Sequence, residues 1–173
     1  PRSTPKPSSA ASDVYKRQIV DSALMLIPEN HLISLSDNIP SLAPIEGFIT
    51  KRMESVFSSV DNLHGGIDIV ALEGTPIRAT SSGVVVFSGW TYEMGNLIVL
   101  YHGDDYITHY GHNQQNIISR LDIVKKGDVI GYVGNTGISS GPHLHFEIWK
   151  GDKSIDPLIY FPEYQKKDLT LKK

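Results

Sequence analysis

Two short segments, far apart in the chain, carry residue types that could hold a metal ion: His64-Gly-Gly-Ile-Asp68 and His143-Leu-His145. His64, Asp68 and one histidine of the second pair would make a site of two imidazoles and one carboxylate. Three protein ligands leave a fourth position open for water, which is how a catalytic zinc is held and not how a structural one is. Such a zinc lowers the pKa of its water to about 7. A third segment, Tyr110-Gly-His112, supplies a further imidazole. With the remaining member of the His143/His145 pair, that leaves two spare histidines to move protons, which is the equipment for cleaving an amide. Alone, H-x-x-x-D is a chance pattern and H-x-H on a strand is more often packed or solvent-facing. All three segments in one small domain point to a metal site.

The elements that must position these groups read as strands. Along a strand, residues i and i+2 share a face about 7 Å apart. His143, His145 and Glu147 therefore point one way, and Leu144, Phe146 and Ile148 face a core. Three ionisable groups on one face of a core strand are costly unless that face is a site. This makes Glu147 a candidate outer acceptor for a ligand imidazole, the alternative being a solvent-facing strand residue. Gly65 and Gly66 argue against a helix through 64–68, since an interior glycine costs about 1 kcal/mol relative to alanine; a bent extended segment is expected. Further strands are predicted at 83–88, 96–102, 105–110, 128–133 and 143–149, the second and third joined by a hairpin at His102-Gly-Asp-Asp105. Parity puts His112 with Thr108 and Tyr110 at the mouth end of its strand, and His109 on the other side. His31 and His102 have no such company and are assigned to the surface. Gln114 to Leu121 is at best a short helical turn. Short strands at close spacing predict a mainly β fold, a compact antiparallel sandwich or barrel with few or no helices.

Composition excludes other classes. The chain has 173 residues, enough for one domain with a real core plus flanking segments. A net charge of −3 lacks the basic footprint of a nucleic-acid binder. The absence of cysteine removes disulfides, thiolate zinc sites and a cysteine nucleophile. The apolar stretch from Ile19 to Pro28 is too short to span a bilayer. No basic-then-apolar start marks a signal peptide. The run Asp13-Val-Tyr-Lys-Arg-Gln18 looks like a translated sequencing adapter, so residues 1–18 are read as a non-native or disordered tail. Residues 19–43, closed off by Pro40 and Pro44, read as a linker or the remnant of an upstream region; 44–162 as the catalytic domain; and 163–173 as a charged tail that frays.

From about Gly47 to Pro162 the chain resembles the lysostaphin-like, or LytM-type, zinc metallopeptidases. The matching segments are HGGIDIVALEGTPIRATSSGVVVFSG, MGNLIVLYHGDDYITHYGH, VKKGDVIGYVGNTGISSGPHLHFEI and DPLIYF. The resemblance implies an antiparallel β fold of the duplicated-hybrid-motif type and one zinc per chain, held by His64, Asp68 and His145. It implies His112 and His143 as the catalytic pair and peptidoglycan peptides as substrate, hydrolysed in cross-links or stems. It also implies a place in the cell envelope, periplasmic or secreted. Groove candidates are Asn96, Tyr110, Asn135, Thr136, Ser139 and Ser140. Two departures stand out: Thr50-Lys-Arg-Met-Glu-Ser55 replaces a Ser-x-Phe-Gly-x-Arg pattern, and His109 stands where an apolar residue is common. Some relatives of this type activate a cell-wall amidase without hydrolysing anything, typically after losing zinc ligands; all five positions are intact here. A carrier-like module, suggested by Val124-Lys-Lys-Gly-Asp-Val, has no use for H-x-H.

Overall fold

The computed structural model describes residue 18 and residues 21–26, 38–54 and 64–171; His31 and almost all of 1–18 lie outside them. Among the described residues ten strands form: β1 (Phe48–Lys51), β2 (Ile67–Val70), β3 (Pro76–Arg78), β4 (Gly83–Thr91), β5 (Gly95–Gly103), β6 (Tyr106–Asn116), β7 (Ile123–Val124), β8 (Val129–Val133), β9 (His143–Lys150) and β10 (Lys153–Ile155). Their order is β1-β2-β9-β6-β5-β4-β7, with β10 beside β9, and β8 joining β6 to β3. Every strand pairing is antiparallel. The fold is therefore mostly antiparallel sheet with few helices, as the strand pattern predicts. Among the described residues no helix is long and apolar enough to cross a membrane.

β9 shows why the site sits where it does. Leu144, Phe146 and Ile148 are fully buried in the main core with Ile49, Ile67, Ile69, Leu100 and Tyr110. The opposite face of β9 carries His143, His145 and Glu147, as period-two alternation requires. The β5–β6 hairpin forms at the expected place. Asp104 and Asp105 both have positive φ, 45° and 60°, the two-residue turn whose twist matches that of the flanking strands. A second apolar cluster, Val86, Leu97, Val99 and Ile107, is covered by Ala23 from a helical turn at 21–24.

Three expectations are corrected here. β6 continues to Asn116, so Gln114 to Asn116 are strand and not a helical turn. His102 is fully buried: Nδ1–H donates to the Ser82 carbonyl (2.8 Å), and Nε2 meets the Thr108 hydroxyl (2.7 Å). Its polar ring is satisfied inside the protein, which pattern alone did not reveal. From Pro162 to Leu171 the chain does not fray. It forms 3-10 helices at Pro162–Lys167 and Leu169–Leu171, with Tyr164 buried and its hydroxyl on the Ile45 carbonyl (2.5 Å).

Candidate metal centre

β2 and β9 are neighbours, and their register places Asp68 directly opposite His145. His64 reaches the same point from the bend before β2. Gly66 makes that bend fit: a Cβ there would lie 2.1 Å from the Phe146 carbonyl oxygen. His64 Nε2, Asp68 Oδ1 and His145 Nδ1 are mutually 2.8, 2.8 and 3.1 Å apart. Tetrahedral ligands with bonds of about 2.0–2.1 Å stand about 3.3 Å apart, so the spacing is close to that of three corners of a zinc site.

The far nitrogens decide what these atoms offer. His64 Nδ1–H donates to the Arg52 carbonyl (2.9 Å). His145 Nε2–H donates to Glu147 Oε1 (3.0 Å). In neutral imidazoles each near nitrogen then carries a lone pair, and both lone pairs point at a carboxylate oxygen. Three electron pairs gathered this closely could be bridged by a cation, or by protons on the imidazoles. Burial disfavours ionised Asp68, but bonds from His145 and His64 outweigh it and hold the carboxyl far below the usual range. Burial likewise opposes charge on His145; the Asp68 and Glu147 carboxylates overcome it and raise the imidazole to about 9.

Glu147 lies behind His145 and not in solvent. Its Oε2 also accepts from His109 Nδ1 (2.8 Å) and Trp149 Nε1 (2.6 Å). His109 thus lies on the site face, opposite Glu147 in the β6–β9 pairing, which reverses the side that parity assigned to it. Tyr110 is correspondingly inside the core and not in a groove, its hydroxyl on Thr108 and Thr80.

His112 reaches the centre through a break in the strand. Two steps of β5, Asn96 to Ile98, face three of β6, Tyr110 to Asn113, and His112 has φ 62°. This bulge turns the ring out of the core-facing series begun by Thr108 and Tyr110. The ring lies 4.7 Å from that of His143 and 5.9 Å from that of His145, centroid to centroid. Its Nδ1–H donates to the Thr136 carbonyl (2.8 Å), leaving Nε2 as acceptor. Burial pushes its pKa down to about 4, only partly opposed by that carbonyl. His143 Nδ1–H donates to the Gly141 carbonyl (2.8 Å), with Ser139 Oγ at 3.2 Å, and its Nε2 stands 3.8 Å from Asp68 Oδ1.

The other groove candidates divide. Thr136 and Asn96 cement the bulge: Thr136 Oγ1 donates to the Asn113 carbonyl (2.7 Å) and receives Asn96 N–H (3.1 Å), while Asn96 Nδ2 spans the carbonyls of Asn113 and Gln114. Ser139 touches His143. Asn135 and Ser140 are exposed. Pattern reading missed Arg52 and Glu54, which flank His64; they act largely through backbone atoms, which leave no signature in residue type.

The pattern of peptidase family M23 matches residues 62–157, which include His64, Asp68, His112, His143 and His145. The murein hydrolase activator NlpD of Escherichia coli is 39% identical over 121 residues, 69% of this chain and 31% of that protein. Outer membrane antigenic lipoprotein B of Haemophilus influenzae is 33% identical over 139 residues, 80% of this chain and 33% of that protein. The chain thus spans about a third of the length of these curated relatives. Among solved structures, the catalytic domain of the antimicrobial peptidase lysostaphin from Staphylococcus simulans superposes with TM-score 0.55 at 31% identity, covering 66% of this chain and 88% of that one. With the family pattern running through more than half of its length on a shared antiparallel sheet, the protein belongs to peptidase family M23.

Proposed function

We propose that this domain is a zinc-dependent endopeptidase that hydrolyses peptide bonds in peptidoglycan cross-links or stems. The observation that carries the reading is the convergence of His64 Nε2, Asp68 Oδ1 and His145 Nδ1 on one point, with two further imidazoles beside it. Zinc held by those three atoms would polarise a carbonyl and acidify a water.

The chain's own residues divide the remaining work. His112 and His143 each spend Nδ1–H on a backbone carbonyl, so each keeps its tautomer and presents Nε2. One Nε2 takes the proton of the attacking water and returns it to the leaving nitrogen as the C–N bond breaks. The other takes up a proton from solvent and then donates it in a hydrogen bond to the developing oxyanion. Thr136 and Asn96 fix the bulge that aims His112. Glu147 fixes the rotation of His145 and raises its basicity.

A second reading is favoured by the likeness to NlpD: a catalytically silent module that activates a cell-wall amidase. Muropeptide analysis of digested sacculi, with zinc quantified in the same protein, separates the two. The peptidase reading expects new peptide-bond cleavage products with one zinc per chain. Intact cross-links together with stimulated amidase release would establish the second reading. His112→Ala is expected to keep the zinc and lose about 100-fold or more in hydrolysis, and His64→Ala to lose metal and activity together. A cell-envelope location accords with the lipoprotein relative.

A further inference from the structure

The segment beyond the family match ends against the strand that steadies the metal site. Asp168 has a side chain wholly withdrawn from solvent. Its Oδ2 receives both Nε and Nη2 of Arg52 at 2.5 Å. Its Oδ1 receives the Thr170 N–H (2.8 Å) and hydroxyl (2.6 Å). Ile49 bridges Asp168 through the backbone, laying this segment parallel to β1. Four donors satisfy a carboxylate that would otherwise be costly to withdraw from solvent, two of them from Arg52, whose side chain stays 41% exposed.

Arg52 is tied at both ends. Its guanidinium is held by Asp168, and its carbonyl accepts Nδ1–H of His64 (2.9 Å). The neighbouring backbone reinforces this contact: Glu54 N–H donates to the His64 carbonyl (3.0 Å), and His64 N–H to Glu54 Oε2 (3.4 Å). Accepting Nδ1–H at that carbonyl is what directs the Nε2 lone pair at Asp68 and His145.

We infer that Asp168, outside the matched residues 62–157, is a positioning residue for the metal centre, acting through Arg52 on the tautomer and orientation of His64. The inference rests on the proposed zinc site only for its metal readout. A merely structural tail would contribute stability and leave His64 as it is.

The test uses the full chain and three variants: Asp168→Asn, Arg52→Lys and, as a control, Tyr164→Phe. Tyr164→Phe loosens the same segment at its other anchor without touching Arg52. Arg52→Lys keeps the charge and loses the planar fork. Zinc affinity is measured by chelator competition at a temperature where circular dichroism shows each variant folded. The His64 tautomer is read in zinc-free protein by long-range proton–nitrogen NMR on histidine-labelled samples. Asp168→Asn is expected to weaken zinc by about tenfold, the low end for groups behind a ligand histidine, and to mix the His64 tautomers. Tyr164→Phe is expected to lower the unfolding temperature and leave both readouts at wild-type values. Affinity and tautomer unchanged in Asp168→Asn would overturn the inference. Should Asp168→Asn fail to fold, Arg52→Lys carries the same two readouts. A wild-type chain that takes up no zinc would defeat the metal reading instead, and the tautomer measurement would then decide on Asp168 alone.

Discussion

The four histidines around Asp68 are each committed by the nitrogen that faces away from it. For His64, His112 and His143 that nitrogen is Nδ1 on a backbone carbonyl; for His145 it is Nε2 on Glu147. The carboxylate sets His145 apart, because it stabilises the imidazolium as well as the tautomer. With Asp68, it outweighs burial and raises the imidazole to about 9. A folded-state pKa above the ordinary 6.5 contributes stability that is complete below 6.5 and is lost as pH rises through about 9. Metal must displace the imidazolium proton. Calorimetry at pH 7 in buffers of different ionisation enthalpy should therefore show proton release on zinc binding, and zinc affinity should rise with pH toward about 9. Pre-neutralising the site with Glu147→Gln should reduce the proton release. Release unchanged in that variant would mean that the proton comes from elsewhere.

At the scale of elements, β9 was legible and β6 was not. Strict alternation through His143-Leu-His-Phe-Glu-Ile places both histidines and Glu147 by counting in twos, and hydrophobic burial enforces it. In β6 the same counting puts His109 on the wrong side and Tyr110 in a groove, because parity was anchored on His112, the residue whose positive φ breaks the period. A bulge depends on the partner strand, so a single segment cannot announce it. β1, β2 and β3 are three or four residues long, too short to show alternation. The bend before β2 was legible from Gly65-Gly66, and it yields a sharp prediction. Gly66→Ala drives a methyl into the Phe146 carbonyl and should cost about 1–3 kcal/mol, typical of overpacking. Gly141→Ala, with nothing within 4 Å of the new carbon, should cost much less. Denaturant midpoints compare the two directly, and equal midpoints would mean that β2 can shift away from β9 without penalty.

Across the whole molecule, the buried polar chain His102–Thr108–Tyr110–Thr80 links β5 and β6 to the turn before β4. Burial drives the His102 pKa down to about 4. The unfolded chain binds a proton below about 6.5 that the folded chain refuses. Stability is therefore present above 6.5 and falls as pH drops toward about 4; His112 contributes with the same sign. Urea titrations at pH 7 and pH 4.5 should show a lower midpoint in acid, and His102→Gln should flatten the difference. A wild-type midpoint that does not move would place the His102 proton outside this account.

The pairing of Asp68 with His145 has a topological consequence. These residues are 77 positions apart in sequence, so an ion gripping both, together with His64, would fasten two distant stretches of chain as a rivet does. Closing a long loop costs entropy that grows only slowly with its length, and a fastener placed there acts on local opening more than on the sheet as a whole. Amide hydrogen exchange should then slow on adding zinc at Ile67–Val70 and His143–Phe146. The β4–β7 edge, at the far end of the strand order, should exchange at its metal-free rate. Uniform slowing across all ten strands would show that the sheet opens as one unit and that the rivet holds nothing in particular.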